Sequence, residues 1–247
     1  MKKILFTTAI ISLLFAGCDK DKEDPNDPST EAVKKLPSKI GSTDYQYDDF
    51  NRLVKIGDLE ITYNANHNPV RFNNGSASAD IKYIDNSVIF SSDYYWLFSN
   101  DSLTLDANGQ LVRRLREIYG SGYEIWDFTY NSNGNITEIT RTYYRNNLTG
   151  YDEIVYTYTY TYSNIKSIWR HVNTPDWFFA YLAGELYFPL KKGYMPLQTQ
   201  YTGFSTTMRK HAYLQDSDGY VIQWDMERTE NGNETTEVYT IEYVPAK

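Results

Sequence analysis

The sequence predicts an all-β fold, an antiparallel meander of hairpins that forms an up-and-down barrel, closed or partly open, with one short helix near residues 174–184. Three observations predict it. Aromatic residues make up 16% of the chain, with 24 tyrosines, and aromatic side chains favour strands. A turn motif recurs along the chain. The residues before each turn alternate between apolar and polar, which is typical of a strand with one buried face.

The recurring motif has an aromatic or apolar residue, Asp or Asn, two turn residues, Gly or Asn, any residue and an aliphatic residue. Four copies begin at Tyr47, Tyr63, Leu105 and Tyr130, and a looser copy begins at Gln215. Asp and Asn initiate turns because their side chains accept hydrogen bonds from nearby backbone amides. The motif therefore predicts a hairpin turn at each copy.

The glycine position of the motif is expected to need a positive φ angle, which glycine adopts without steric cost. Gly109, Gly134 and Gly219 occupy it in three copies, and we assign Asn51 and Asn68 to it in the other two. Asn is the next most tolerant residue. This pattern fits a type I turn closed by a glycine bulge, a common hairpin connection.

Two further segments support a meander. A hairpin turn is expected at Glu230–Asn233, between strands at Val221–Thr229 and Thr235–Val244. In Asp152–Tyr162, the odd-numbered residues form one face of the predicted strand and are mostly polar. The even-numbered residues form the other face, which carries Ile154 and the tyrosines at 156, 158, 160 and 162. Unequal spacing between the motif copies excludes a strict solenoid, so successive hairpins are expected to build one barrel-like sheet.

One segment, Thr174–Gly184, departs from the strand pattern and predicts the short helix. Thr174 would cap it, Pro175 suits its first turn and Gly184 suits its end. Its many apolar residues indicate burial, against the sheet or inside one end of the barrel.

The N-terminus has the three parts of a secretory signal. Lys2 and Lys3 precede an apolar run, and the small residues Ala16 and Gly17 precede Cys18, the only cysteine in the chain. The apolar run is shorter than the roughly 20 residues that cross a bilayer. We therefore expect residues 1–17 to be a cleaved lipoprotein signal peptide and Cys18 to be lipidated, so that the protein contacts the membrane through a covalent lipid.

Residues 18–35 are expected to form a disordered acidic tether, because the segment after Cys18 has no large apolar residue until residue 33. Residues 36–247 are expected to form a single domain. Acidic residues directly after a lipidated cysteine resemble the surface-export signal of Bacteroidetes lipoproteins. The resemblance implies an outer-membrane location at the cell surface.

The turn motifs resemble YD-type repeats, with Tyr47–Leu53 as the best copy. The segment Phe15-Ala16-Gly17-Cys18 resembles a lipobox. With it, the Leu36–Ile40 segment and the Lys192–Pro196 segment, the chain resembles a Bacteroidetes lipoprotein family of unknown function described as having a porin-like fold. The resemblance spans most of residues 36–247. It implies a fold and a location, but no catalytic residues.

Composition and motifs also restrict the function. A formal net charge of −8 argues against nucleic acid as a partner, since such proteins need a basic surface. The three histidines, His67, His171 and His211, have no metal-ligand spacing, and no nucleotide-binding or nucleophile motif is present. We therefore predict no catalytic, metal-binding or cofactor-binding residues.

Aromatic side chains are the remaining candidates for ligand contact. Consecutive aromatics cannot all face the interior from one strand, which makes Tyr94, Tyr95 and Trp96 the best candidates. The other tryptophans are expected to fill the barrel core. Asp101-Ser102-Leu103 matches a short O-glycosylation pattern, with Ser102 as the acceptor.

These observations favour a non-catalytic envelope lipoprotein that binds a glycan or an envelope protein. Two alternatives stay open at this stage. The first is a hydrolase acting on glycan or peptide, which would need two carboxylates or a nucleophile pair in a cleft. The second is a structural component of the envelope.

Overall fold

The computed structural model describes residues 33–92, 101–118, 122–147, 150–186, 193–203 and 205–247. Within these ranges sixteen strands and one helix form. In chain order they are β1 Lys35–Ile40, β2 Thr43–Tyr47, β3 Leu53–Ile56, β4 Leu59–Tyr63, β5 Pro69–Asn73, β6 Ser78–Ile84, β7 Ser87–Ser92, β8 Ser102–Leu105, β9 Leu111–Ile118, β10 Gly122–Tyr130, β11 Ile136–Asn147, β12 Gly150–Lys166, α1 Asp176–Leu186, β13 Tyr194–Thr202, β14 Thr206–Gln215, β15 Val221–Glu230 and β16 Asn233–Pro245.

The strands form a closed antiparallel barrel in which each strand pairs with its neighbours in sequence. Closure comes from β1 and β16, where Lys35 lies opposite Pro245 and Ile40 lies opposite Ile241. The predicted all-β meander with a single short helix is confirmed, and the barrel is of the closed type. The strands of the barrel and the helix belong to one compact unit, Val33–Lys247.

The five motif copies form the same turn. In each, the Asp or Asn side chain accepts two backbone N–H groups; Asn131 Oδ1, for example, accepts those of Asn133 and Asn135 at 3.0 and 3.1 Å. The residue three positions after the Asp or Asn has a positive φ angle, as at Gly134 (76°) and Asn51 (59°). The same bonds recur at Asp48, Asn64, Asp106 and Asp216.

The assignment of Asn68 to the positive-φ position is wrong. His67 occupies it, with φ 62°, and its N–H donates to the Asn64 carbonyl at 3.0 Å. The reason is register: the turn is counted from Asn64, whose side chain begins it, and the third residue after Asn64 is His67. The expected hairpin turn at residues 230–233 is present, with positive φ at Asn231 and Gly232.

A set of half-buried tyrosines explains why the motif copies at Tyr47, Tyr63 and Tyr130 begin with an aromatic residue. Each hydroxyl donates to a backbone carbonyl on a neighbouring strand over 2.6–2.8 Å. Burial raises the pKa of all of these hydroxyls. We call the set the tyrosine collar; its members are Tyr47, Tyr63, Tyr83, Tyr130, Tyr162, Tyr213 and Tyr243. It lies at the end of the barrel that carries the five motif turns, which we call the turn end.

The strands in the two halves of the barrel differ in length. Strands β1–β8 are 4–7 residues long and form what we call the short wall, whereas β9–β16 are 8–17 residues long and form the tall wall. The tall wall therefore extends further from the turn end, toward what we call the far end. A sixteen-stranded barrel is too wide for inward side chains alone to fill, so its interior needs another occupant or stays open.

The helix α1 is that occupant on the side of the short wall. The chain leaves β12 at the turn end, and Trp169, Phe178 and Phe179 are almost completely buried. Phe178 packs against Phe72 with ring centroids 5.5 Å apart, and Tyr181 stacks on Phe90 at 4.9 Å. The expected burial of this segment is confirmed, and the helix plugs the barrel.

The bounds of α1 differ slightly from the expected 174–184. The helix starts at Asp176 and continues past Gly184 to Leu186. Thr174 is buried and its Oγ1 accepts the N–H of Leu53 on β3 at 2.8 Å. Thr174 therefore ties the start of the helical segment to the short wall.

The outward faces of both walls carry ion pairs, together with exposed apolar side chains such as Val155, Leu197 and Val238. Ion pairs lie on them at Arg71–Asp80, Arg113–Asp127 and Lys55–Glu60, with N–O distances of 3.0, 2.6 and 3.6 Å. Among the described residues, no helix is long and apolar enough to cross a membrane. The apolar side chains of the barrel mainly face inward, where they pack on α1.

Candidate ligand-binding site

The inner face of the tall wall is apolar near the turn end, where Leu111, Ile136 and Val221 are buried, and becomes polar and aromatic toward the far end. Its inward-facing side chains, identified from the strand register and their buried neighbours, include arginines, carboxylates and tyrosines that keep part of their surface accessible. Concave sites that join aromatic side chains with a few polar groups are the usual form of ligand sites, and they occur in the mouths of β-barrels. This wall is therefore the candidate site.

An ion pair between Glu124 on β10 and Arg141 on β11 lies at the centre of this wall. The Glu124 side chain is only 3% exposed, whereas Arg141 is 31% exposed. Glu124 also accepts the indole N–H of Trp126 at 3.1 Å. Because a buried carboxylate needs such donors, these contacts fix Glu124 and leave the guanidinium as the accessible partner.

Aromatic rings surround Arg141. Its guanidinium lies 5.0 Å from the ring centroid of Trp126 and 5.5 Å from that of Tyr156, distances typical of cation–π contacts. Trp126 stacks on Tyr158 with centroids 6.1 Å apart and planes 13° apart. Tyr201 on β13 continues the row, 4.9 Å from Tyr158 and 5.8 Å from Tyr156.

These six residues form what we call the Arg141 site: Glu124, Trp126, Arg141, Tyr156, Tyr158 and Tyr201. They come from four adjacent strands, β10 to β13, whose alternation places every second side chain on the inner face. The site offers partly accessible tyrosine rings next to one charged donor, the Arg141 guanidinium. Such an arrangement can stack against a flat ligand and bond to its polar edge.

A glycine makes room for two of these rings. A Cβ atom at Gly203, between β13 and β14, would lie 2.4 Å from Tyr156 and 2.7 Å from the Tyr201 hydroxyl. No side chain fits at that distance. Gly203 is thus required for the stacking of Tyr156 on Tyr201.

A second polar cluster lies further along the tall wall. The Trp224 indole N–H donates to His211 Nδ1 at 3.1 Å, and His211 Nε2 is 3.2 Å from Thr199 Oγ1. Burial, and then the charge of Arg209, lowers the pKa of His211 to about 4. His211 is therefore neutral near pH 7 and serves to hold Trp224 in place.

A buried charge network joins the tall wall to the plug. The Asp101 carboxylate is fully buried and contacts Arg114 at 2.8 Å and Arg116 at 3.1 Å. It also accepts the Tyr181 hydroxyl of α1 at 2.8 Å. Arg114 lies 5.3 Å from the ring of Trp126, so this network also supports the Arg141 site from behind.

The structure places the sequence-predicted residues as follows. Cys18, Tyr94, Tyr95 and Trp96 lie outside the described residues, and their roles stay predictions. Ser102 lies half-buried on β8, between the fully buried residues Asp101 and Leu103, and its glycosylation also stays a prediction. Of the tryptophans, Trp169 and Trp177 fill the plug, whereas Trp126 and Trp224 line the tall wall.

Within the described ranges no group of three or more His, Cys, Asp or Glu side chains could hold a metal ion. The inward carboxylates Glu124, Glu230 and Asp101 each contact an arginine, and Glu237 accepts the Tyr239 hydroxyl. Sequence reasoning missed the Arg141 site because its members come from four strands, although the tyrosine alternation in β12 identified one face of it.

No protein-family model and no curated protein matches the chain. Solved structures similar to it include two from Bacteroides species. One is a porin-like protein from Bacteroides uniformis ATCC 8492, 14% identical with a TM-score of 0.41, where the match covers 76% of this chain and 89% of that one. The other is a porin-like protein from Bacteroides vulgatus ATCC 8482, 12% identical with a TM-score of 0.43, covering 86% and 100%.

Proposed function

We propose that this protein is a lipid-anchored protein of the outer membrane, exposed at the cell surface, that binds a saccharide at the Arg141 site without modifying it. The observation that carries the proposal is the row of partly accessible rings of Tyr156, Tyr158 and Tyr201, which is supported by the buried Trp126 and lies beside the Arg141 guanidinium. The signal sequence, the lone Cys18 and the acidic tether support the location.

The outward faces support a barrel that stands in water rather than in the bilayer. Barrels inserted in a membrane carry an apolar band on the lipid side, and a charged side chain there costs about 2–4 kcal/mol at mid-depth. Here the ion pairs Arg71–Asp80 and Arg113–Asp127 lie on that side. A lipid on Cys18 would hold such a barrel at the membrane.

A saccharide fits the site for two reasons. The C–H face of a sugar ring can lie on a flat aromatic surface, and Tyr156, Tyr158 and Tyr201 each keep part of their surface accessible. Sugar hydroxyls accept hydrogen bonds, and the guanidinium of Arg141, the accessible partner of the ion pair, is the donor that the site provides. Pairing also balances the charge, which suits a neutral ligand.

The binding proposal is tested by titrating the chain from Asp19 onward with a panel of oligosaccharides in a calorimeter. We expect at least one to bind, and Tyr158→Ala to weaken it by about tenfold or more, since a stacked aromatic contributes roughly 1–3 kcal/mol. Tyr123→Ala is the matched control, because Tyr123 stacks on Tyr144 on the outward face. Melting curves verify that both variants fold.

Two outcomes would count against saccharide binding: no ligand in the panel binds, or Tyr158→Ala and Tyr123→Ala weaken binding equally. Arg141→Gln provides a second check that keeps the aromatic row. It is expected to weaken binding and also to lower the melting temperature, because the buried Glu124 carboxylate loses its cation, so binding is measured at a temperature at which melting curves show the variant to be folded.

The anchor is tested independently. We expect the wild-type protein to incorporate labelled palmitate and to fractionate with the outer membrane, and Cys18→Ala to lose both properties. Surface exposure is measured by protease treatment of intact cells. A Cys18→Ala variant that still carries the label and stays in the membrane fraction would overturn the anchor.

A further inference from the structure

The turn end carries a cluster of basic side chains next to the point where the chain joins the barrel. Lys35 begins β1, and Arg170 follows β12 in the segment before α1. Both lie over the ring of Tyr220, with the Lys35 Nζ 4.8 Å and the Arg170 guanidinium carbon 4.0 Å from its centroid. The Ala246 N–H donates to the Lys34 carbonyl at 2.7 Å, so the chain ends meet beside this cluster.

Two exposed lysines extend the cluster. Lys34 and Lys166 are both exposed, and both lie close enough to His171 that their charges, after burial and Arg170, lower its pKa. His171 therefore adds no charge near pH 7. We define the basic patch as Lys34, Lys35, Lys166 and Arg170.

Only part of this charge is neutralised locally. Lys35 pairs with Asp216 at 2.9 Å and with Asp218 at 2.8 Å. Lys34, Lys166 and Arg170 make no ion pair with any residue that the structure describes. The patch is thus a local excess of positive charge on a protein whose net charge is −8.

We propose that the basic patch docks the turn end on a lipid surface that carries anionic headgroups. The position of the tether supports this partner: residues 18–32 join Cys18 to Val33, and 15 residues span at most about 50 Å. A lipid on Cys18 would keep headgroups near the patch, where each cation contributes roughly 1 kcal/mol.

This orientation has a consequence for ligand access. The turn end would face the membrane, so the far end of the tall wall, toward which the Arg141 site opens, would face away from it. The inference uses the Cys18 anchor of the proposed function, but its test does not, because vesicle binding can be measured on a chain without the lipid.

The experiment is co-sedimentation of the unlipidated chain from Asp19 onward with vesicles of phosphatidylcholine, alone or with about one-third phosphatidylglycerol. We expect binding to the anionic vesicles only, weakening as salt rises. The triple variant Lys34→Gln, Lys166→Gln, Arg170→Gln should weaken it by about tenfold or more. The matched control removes three exposed cations elsewhere: Lys82→Gln, Lys210→Gln and Arg145→Gln.

A chain that starts at Val33 lacks the acidic tether. Comparing it with the chain from Asp19 shows whether the membrane or the tether occupies the basic patch. Equal binding of the Asp19 chain and the Val33 chain to the anionic vesicles supports membrane docking. Binding by the Val33 chain alone would show that the tether occupies the patch and would overturn the proposal. It would also be overturned if neither chain binds, or if the control triple weakens binding as much as the patch triple, with melting curves verifying that each variant is folded.

Discussion

The short wall and the tall wall follow the same alternation of inward and outward side chains, yet their interiors differ. Inward residues of the short wall, such as Phe72 and Phe90, are buried against α1. Inward residues of the tall wall, such as Arg141, Tyr156 and Tyr158, keep part of their surface accessible. The short wall is therefore covered by the plug, whereas the tall wall contacts the plug through Arg114, 4.6 Å from the Tyr181 ring, and keeps other inward side chains accessible.

The difference follows from strand length and from where α1 sits. Both walls begin at the turn end, where the Asx turns and the tyrosine collar fix the register. The short wall ends within the height of the plug, and its inner face is covered. The tall wall extends beyond that height, so its additional inward residues need not be apolar. The packed interior and the proposed binding site thus lie in different parts of one sheet.

The largest expected effect comes from the plug. Trp169→Ala removes a fully buried side chain that packs on Tyr45 and Phe179, and should lower the free energy of unfolding by about 3–5 kcal/mol. Urea denaturation measures it. Phe50→Ala is the control, since Phe50 is 56% exposed. Equal losses in the two variants would show that α1 does not form the core.

The next effect concerns the network between the plug and the tall wall. Asp101→Ala leaves Arg114 buried without this carboxylate, and removal of one partner of a buried ion pair typically costs about 3–5 kcal/mol. Asp80→Ala, which removes the partner of the exposed Arg71, should cost less than about 1 kcal/mol. Comparable losses from the two substitutions, again by urea denaturation, would contradict the assigned role of Asp101.

Acid should destabilise the barrel partly through His211, which lies on the tall wall. The pKa of His211 is lowered to about 4, below the ordinary value of about 6.5 in the unfolded chain. Between these values the unfolded chain binds a proton that the folded protein does not. The contribution of His211 is therefore fully present above pH 6.5 and is lost as the pH falls toward 4, at up to about 1.4 kcal/mol per pH unit.

Unfolding free energies measured from pH 7 to pH 4 test this. His211→Gln should reduce the slope, whereas Thr159→Ala, which changes an exposed side chain that gains no proton in this range, should keep the wild-type slope. A slope that His211→Gln leaves unchanged would assign the acid sensitivity to other groups.

The smallest effect concerns the motif turns. Gly134 has φ 76°, so Gly134→Val forces a β-branched residue into the left-handed region and should cost about 1 kcal/mol or more. Gly134→Asn should cost less, because Asn tolerates this region. Thermal melting compares the two variants, and an unchanged melting temperature in Gly134→Val would remove the turn assignment.

Local features of this fold could be predicted from the sequence. The Asx turns, the strand alternation and the buried helical segment each depend on residues within about ten positions of one another. The exception, Asn68 instead of His67, arose because glycine or asparagine was expected at a position that a histidine fills. Local patterns therefore identified the barrel and most of its turns.

The candidate site could not be predicted in the same way. Trp126 and Tyr201 are 75 residues apart by their numbers, and only the pairing of β10 to β13 brings their neighbourhoods together. Gly203 gave no sequence signal, because its role is to leave space for Tyr156. The division of the interior between plug and polar wall depends on strand lengths, which the motif does not encode.

Fluorine NMR of protein labelled with 5-fluorotryptophan tests the division of the interior most directly. Trp126 reports on the Arg141 site, whereas Trp169 and Trp177 report on the plug, and single Trp→Phe variants assign their signals. A saccharide that binds is expected to shift the Trp126 signal and to leave those of Trp169 and Trp177 in place. A bound saccharide that shifts the plug signals and not Trp126 would contradict this account.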